Sequence, residues 1–172
     1  MNGLLLVQMH GEPGSGKSTL ARALGSRVPA VVLDKDIVSS GLMRSGLAKG
    51  AVGAAAYETV WGLTRSLLEQ GFSVVVDSPC YWRRIEETGR GIARAAHATY
   101  GMVECLCADR GELARRLAER PALASQPREV IDWLAQPGTE RPNGARLCID
   151  ATRPLAEIAD EAAAYLLGLV AA

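Results

Sequence analysis

Lysine is scarce in this sequence. It occurs only as Lys17, Lys35 and Lys49, so nearly all of the positive charge is arginine. Net charge is absent as well, with 19 basic residues against 19 acidic ones. That balance argues against an obligate partner of high charge density such as long duplex DNA, though it leaves room for a local basic groove. Long apolar runs are missing. The longest, AAAYLLGLVAA at the C-terminus, falls short of the roughly 18 residues that a membrane span needs. The opening MNGLLLVQMHG lacks the basic start of a leader peptide, and its apolar run has the length of a strand. Cys80, Cys105, Cys107 and Cys148 follow no C-x-x-C spacing. Core thiols are therefore expected rather than zinc ligands or disulfides, in a reducing, cytoplasmic setting. There is no repeat, linker or low-complexity block. A chain of 172 residues, 48% hydrophobic, fits one domain with one core, residues 1–172.

What is present is an alternation of strand-like and helix-like stretches. LLLVQMH (4–10), AVVLD (30–34), FSVVVD (72–77), MVECLCA (102–108) and ARLCID (145–150) read as buried strands. Between them, GKSTLARALGSRV, a helix start within DIVSSGLMRSGL, a longer helix in GAVGAAAYETVWGLTRSLLEQG stopped by Gly71, and RGELARRLAER ended by Pro121 read as helices. CYWRRIEETGRGIARAAHATYG reads as one helix or a broken pair, and PLAEIADEAAAYLLGLV as the last helix. The stretch 121–144, with four prolines and Trp133, is the least regular. Strands spaced by helices imply βαβ crossovers. The expected fold is therefore α/β, three-layered, with a central, mostly parallel five-stranded sheet and helices on both faces. In such sheets ligands bind beyond the carboxyl ends of the strands.

The polar residues just past each strand therefore carry the function. After the first strand comes GEPGSGKST, in which Gly11, Gly16, Lys17 and Ser18 fit G-x-x-x-x-G-K-[ST]. The context fits too, since the motif follows a strand and opens a helix. Glycines let successive backbone N–H groups turn inward onto phosphate oxygens, and the helix N-terminus adds partial positive charge. Gly11, Glu12, Pro13, Gly14, Ser15, Gly16, Lys17, Ser18 and Thr19 are thus expected to hold the phosphates of ATP. Lys17 would reach the β and γ phosphates, and Ser18 would face Mg2+. Asp77 closes SVVVD, where a carboxylate can hold Mg2+ through water. No N-K-x-D motif appears and SPC follows Asp77, which argues against a GTP switch. The chain is also too short for a large motor ATPase. A small kinase remains.

Asp34 and Asp36, in LDKDIVSSGL, are placed to meet an acceptor hydroxyl. One is expected to point inward and the other to cap the following helix, with Asp36 the acceptor-side carboxylate and Asp34 the alternative. Arg116 and Arg120 are four apart, on one helical face, and can neutralise a transferring phosphoryl group. Arg115 points elsewhere. The acceptor pocket is expected among 39–62 and 79–84, where Met43, Tyr57, Trp61, Tyr81 and Trp82 suit a small, partly apolar alcohol. Tyr57 and Trp61 are equally good core residues.

The order GEPGSGKST, DKD, LLEQGFSVVVDSP, ELARRLAER, LCIDATRPLAEIA resembles the small P-loop kinases. That group includes the 5′-hydroxyl polynucleotide kinase domain, chloramphenicol phosphotransferase and zeta toxins, and borders on kinases of the AAA ATPase type. The resemblance spans nearly the whole chain. It implies an acceptor-side Asp at Asp36 and an Asp after the third strand at Asp77. It also implies a small lid (about 110–144) carrying Arg116 and Arg120, and an adenine-side loop at Ala151–Arg153. Many members carry an arginine three residues past the acceptor Asp, where this sequence has Ser39. That weakens the reading as a nucleic-acid kinase unless Arg44 or Arg83 substitutes. The resulting expectation is an ATP- and Mg2+-dependent kinase acting on a hydroxyl of a small molecule. A polynucleotide 5′-hydroxyl kinase, a non-catalytic ATP-binding regulator and a toxin acting on a nucleotide sugar are the alternatives.

Overall fold

The five apolar runs form one sheet, all of it parallel. In the computed structural model, which describes residues 3–120, 123–127, 130, 132, 135–136 and 138–171, the strands are β1 (Leu5–His10), β2 (Ala30–Asp34), β3 (Ser73–Asp77), β4 (Thr99–Leu106) and β5 (Leu147–Asp150). Their order is β2-β3-β1-β4-β5. The helices are α1 (Lys17–Arg27), α2 (Lys35–Arg44), α3 (Lys49–Glu69), α4 (Arg83–Ala95), α5 (Arg110–Glu119) and α6 (Leu155–Ala171).

Side chains alternate across the strands and so build two apolar layers. Leu5, Val7 and Met9 of β1 pack with Val75, Val103 and Cys105 against Leu20 and Leu24 of α1 and Ile158, Ala162 and Leu166 of α6. Leu6 packs on the opposite face with Val74, Val76 and Met102 against Tyr57, Val60, Trp61 and Leu68 of α3 and Ile85 and Ile92 of α4. Among the described residues, no helix is long and apolar enough to cross a membrane.

The boundaries around α4 and β4 differ most from the sequence expectation. The helix expected from Cys80 through Gly101 starts at Arg83 and stops at Ala95. It is closed by His97 at φ 52, with Ala98 N–H reaching back to the Ala93 carbonyl. A non-glycine residue therefore does the job usually signalled by glycine. β4 then begins at Thr99 rather than 102, because Thr99 and Tyr100 pair with Leu5 and Leu6. Gly101, the last residue of the stretch read as helical, lies inside the strand. A Cβ there would sit 2.4 Å from Leu166 Cδ2, so the glycine lets α6 approach the sheet. By contrast, α3 ends as its sequence suggests. Gly71 is at φ 87, and Gly71 and Phe72 N–H groups bond to the Leu68 and Leu67 carbonyls.

Because every strand runs the same way, their carboxyl ends share one edge. There the adjacent strands β2, β3 and β1 deliver residues 34–36, 77–78 and 11–19 side by side, with Asp34 and Asp77 in register.

Candidate active site

The loop after β1 is shaped by glycines in conformations closed to other residues. Gly11, Gly14 and Gly16 have φ of 130, 83 and 98. At Gly11 a Cβ would lie 2.3 Å from the Cys105 carbonyl oxygen. Gly16 is the N-cap of α1 and supplies no side-chain cap, so the first N–H groups of that helix remain available to a ligand. Lys17 is buried and donates from Nζ to the Glu12 carbonyl at 2.8 Å. Burial lowers its pKa, opposed chiefly by the nearby Asp77 carboxylate. The Ser15 hydroxyl is buried without a hydrogen-bond partner among the described residues. The Glu12 carboxylate turns away to Arg110, 3.0 Å distant.

A single cavity of about 890 Å³ joins these parts. Pro13, Gly14, Gly16, Lys17, Ser18 and Thr19 line it from the loop, whereas Gly11, Glu12 and Ser15 do not. Asp77, at the end of β3, also lines it. Burial pushes the Asp77 carboxyl up to about 6, although the neighbouring Ser18 hydroxyl and Lys17 favour the ionised form. On the far side the cavity is lined by Lys35, Asp36, Ile37, Gly53, Tyr57, Tyr81 and Trp82.

The two carboxylates of DKD are used differently. Asp34 caps α2, its Oδ1 accepting from the Asp36 and Ile37 N–H groups at 2.8 and 3.3 Å. Asp36 lines the cavity, with Lys35 Nζ 3.1 Å from its Oδ1 and Gln126 Nε2 3.1 Å from its Oδ2. Lys35 also lies 5.8 Å above the Tyr57 ring, whose hydroxyl donates to the Pro79 carbonyl.

Arg116 and Arg120 both line the cavity, but one shared helical face does not bring them there. α5 ends at Glu119, and Arg120 is an extended cap residue whose guanidinium donates to the Pro127 carbonyl. Arg116 is braced by Glu112 at 2.6 Å and donates to the Ala151 carbonyl at 3.1 Å, tying α5 to the loop after β5. Arg115 points outward to Glu112 and Glu119. Ala151, Thr152 and Arg153 line the cavity too. Of the expected acceptor residues, Tyr57, Tyr81 and Trp82 line it. Trp61 is instead part of the core, and Met43 is absent from the described lining. Arg83 is paired with Glu140, and neither Arg83 nor Arg44 lines the cavity. Pro121 and Trp133 lie outside the described residues.

Three features were not anticipated. Ser125 and Gln126, from the irregular stretch, touch Asp36. His10 ends β1 just before the loop. Its Nδ1 accepts from the Cys80 N–H at 3.1 Å, and its Nε2 lies 3.6 Å from Glu104, itself held by Arg146 and Arg141. Burial pushes the His10 imidazole down to about 4, so it is neutral at pH 7. A histidine closing an apolar strand was the available signal for that network. Nothing periodic marked Ser125 or Gln126.

Several solved structures share this fold. A protein of Chloroflexus aurantiacus is 20% identical with a TM-score of 0.72, covering 98% of both chains. The APS kinase of Mycobacterium tuberculosis, solved with AMPPNP and APS, is 20% identical with a TM-score of 0.68 over 100% of both chains. A gluconokinase from Sinorhizobium meliloti is 22% identical with a TM-score of 0.64, over 98% of this chain and 94% of that one. The fold is thus that of P-loop kinases. Uncharacterized proteins of Mycobacterium tuberculosis and Mycobacterium bovis are 32% identical over 114 residues, which is 59% of this chain but 22% of theirs. The chain accordingly spans about a fifth of the length of these curated relatives. A family model described as AAA domain matches residues 6–136, and the chain belongs to that family.

Proposed function

We propose that this protein is an ATP- and Mg2+-dependent phosphotransferase acting on a hydroxyl of a small, partly apolar molecule. The observation that carries the reading is the single cavity lined at once by the glycine loop with Lys17 and by Asp36 with three aromatic rings. A phosphate donor and an acceptor can meet in it.

The loop fits a nucleoside triphosphate. Its uncapped helix start, its left-handed glycines and a buried lysine beside it form a cradle for anionic oxygens. When bound, ATP supplies the phosphoryl group and Mg2+ the charge that eases its transfer. Lys17 would hold the terminal phosphates, and Ser18 and Asp77 would hold the metal. Among the described residues no group of three or more His, Cys, Asp or Glu is placed to bind a metal alone. Mg2+ would accordingly arrive with the nucleotide and keep several waters. Asp36 would orient the acceptor hydroxyl and take its proton. Arg116 and Arg120 would stabilise charge on the transferring group, with α5 and the stretch after it as a lid. Beside Asp36 the cavity also carries Ile37, Gly53, Tyr57, Tyr81 and Trp82, with Ser125 and Gln126 against Asp36 itself and Lys35 engaged by its carboxylate. That lining suits an uncharged body better than a nucleic-acid backbone. A cytoplasmic setting belongs to the same proposal.

The test is to incubate the protein with γ-labelled ATP, Mg2+ and, in parallel, a 5′-hydroxyl oligonucleotide and a pool of small alcohols, antibiotics and nucleosides. Label on a small molecule supports the reading. Label on the oligonucleotide replaces it with the nucleic-acid kinase. ATP binding without label on either pool, together with no effect of Asp36→Asn, points to a regulator.

A further inference from the structure

A kinase faces a competitor smaller than any alcohol and far more abundant: water. A carboxylate able to take a proton from an acceptor hydroxyl can equally take one from water, and ATP is then lost. The surroundings of Asp36 bear on that problem. Both of its carboxylate oxygens are engaged within the chain, Oδ1 by Lys35 Nζ and Oδ2 by Gln126 Nε2, each at 3.1 Å. Each donor occupies a place on the carboxylate that an acceptor hydroxyl would otherwise take.

Gln126 is held at that place by contacts that do not use its own side chain. The Ser125 hydroxyl donates to the Asp36 carbonyl at 3.0 Å, and the Ser125 N–H donates to Ser40 Oγ at 3.3 Å. A hydroxyl has one hydrogen to give, so in the 3.0 Å contact between Ser40 and Ser125 the donor is Ser40. On the other side of Gln126, the Pro127 carbonyl accepts from Arg120. The backbone of 125–127 is therefore pinned to α2 at one end and to Arg120 at the other. The Gln126 side chain is one that can let go while the backbone stays. Leu123, Ser125, Gln126 and Pro127 all line the cavity, so an acceptor that fills it meets them directly.

We propose that Gln126 is a specificity-determining residue that withholds Asp36 from water, its amide occupying Asp36 Oδ2 until an acceptor hydroxyl takes that place. The inference rests on the reading of Asp36 as the acceptor-side carboxylate. In the suppressed step, the oxygen of water bonds to the γ-phosphorus while the bond from that phosphorus to the bridging oxygen breaks. ADP leaves, and the proton of water passes to Asp36. Water cannot fill the cavity and so does not displace the amide. A bulkier alcohol does.

The experiment needs no acceptor. ATP hydrolysis with Mg2+ is measured for the wild type, Gln126→Ala, Gln126→Met, Asp36→Asn and each Gln126 variant combined with Asp36→Asn. Beside it, the thermal shift given by ATP with Mg2+ and the NMR signal of the Gln126 side-chain amide are recorded. Met keeps the volume of Gln but has no donor. The expectation is that both Gln126 variants hydrolyse ATP at least about tenfold faster than the wild type. Their thermal shift with ATP should match that of the wild type, and Asp36→Asn should abolish the gain. The Gln126 amide signal should also move in Asp36→Asn before any nucleotide is added. Wild-type hydrolysis in both variants, a gain in Ala but not Met, a gain that survives Asp36→Asn, or an unmoved amide signal each overturns the proposal. If these failures occur in a protein that ATP still stabilises, the inference falls and the kinase reading stands. If ATP with Mg2+ gives no stabilisation, both fall.

Discussion

The two ends of the cavity are built by opposite means. The phosphate end is nine consecutive residues, and most of its work is done by backbone: left-handed glycines, helix N–H groups and a carbonyl that parks Lys17. The acceptor end draws side chains from α2, α3, the loop after β3 and the stretch 123–127. Their glycines show the difference. Gly11 cannot carry a Cβ, both for its φ of 130 and for the Cys105 carbonyl 2.3 Å away. Gly53, also on the cavity wall, sits in a regular helix with nothing within 4 Å of an added Cβ. On the proposed reading, phosphate recognition rests on main-chain shape, which tolerates little change. The proposed acceptor end is a set of side chains, of which Tyr57 and Tyr81 are also buried in the fold whereas Lys35, Asp36 and Gln126 are only half-buried.

That contrast can be broken by measurement. Lys17→Ala should lower phosphoryl transfer by about 100-fold or more, and also shrink the thermal shift given by ATP. Asp36→Asn should cost transfer on the order of 10²–10⁴-fold yet leave that thermal shift intact. If Asp36→Asn also abolishes ATP binding, the two ends are not separable.

Next in size is Gly11→Ala, expected to destabilise the protein by about 1–3 kcal/mol in urea unfolding, with the phosphate end the first part to lose ligand. A neutral result would mean that the loop does not need its shape.

Asp77→Asn sharpens the comparison through pH. The Asp77 carboxyl is pushed up to about 6 from an ordinary value of 3.8, so between those limits the native state holds a proton that the unfolded chain has released. Stability therefore falls as pH rises through that window. The Asn variant escapes the fall and should exceed the wild type by on the order of 3 kcal/mol at pH 7, converging with it below about pH 4. His10, held down near 4 from 6.5, acts with the opposite sign. The unfolded state there binds the extra proton, and stability is lost as pH falls from about 6.5 to about 4. Since both proteins keep His10, the difference between their urea midpoints across pH isolates Asp77. The same variant should lose Mg2+-dependent transfer.

The smallest effect is expected at Gly53→Ala. It should raise stability by roughly 0.5–1 kcal/mol, because the helix gains and nothing is struck. A loss there would show that the acceptor wall is as tightly specified as the phosphate loop.

The sequence was most readable where structure is local. The loop at 11–19, the strand ends that follow apolar runs and the capped end of α3 at Gly71 each carry their cause within a few neighbouring residues. It was least readable where a distant partner decides. HATYG reads as the end of a helical stretch because nothing nearby shows that Thr99 and Tyr100 will pair with β1, or that Leu166 will press on Gly101. Arg116 and Arg120 are four apart, yet α5 ends between them, and the two guanidiniums are placed by Ala151 and Pro127. The pair Asp34 and Asp36 was ambiguous in sequence for a related reason. Either could cap α2, and backbone geometry gives that task to Asp34. Gln126 had no signal, since a proline-rich stretch has no period from which to infer a face.

The pinning of 125–127 to Asp36, Ser40 and Arg120 has a consequence for how such a protein can change. Among the described residues, the chain between α5 and β5 contributes to the proposed acceptor end without adding a strand to the sheet, and 125–127 are held by side-chain and carbonyl contacts. None of the described residues there belongs to either apolar layer. On the proposed function, acceptor choice would then drift by insertion and deletion there, a kind of variation that the left-handed glycines at 11–16 do not tolerate, and a lineage would gain new substrates while its phosphate chemistry stayed inherited.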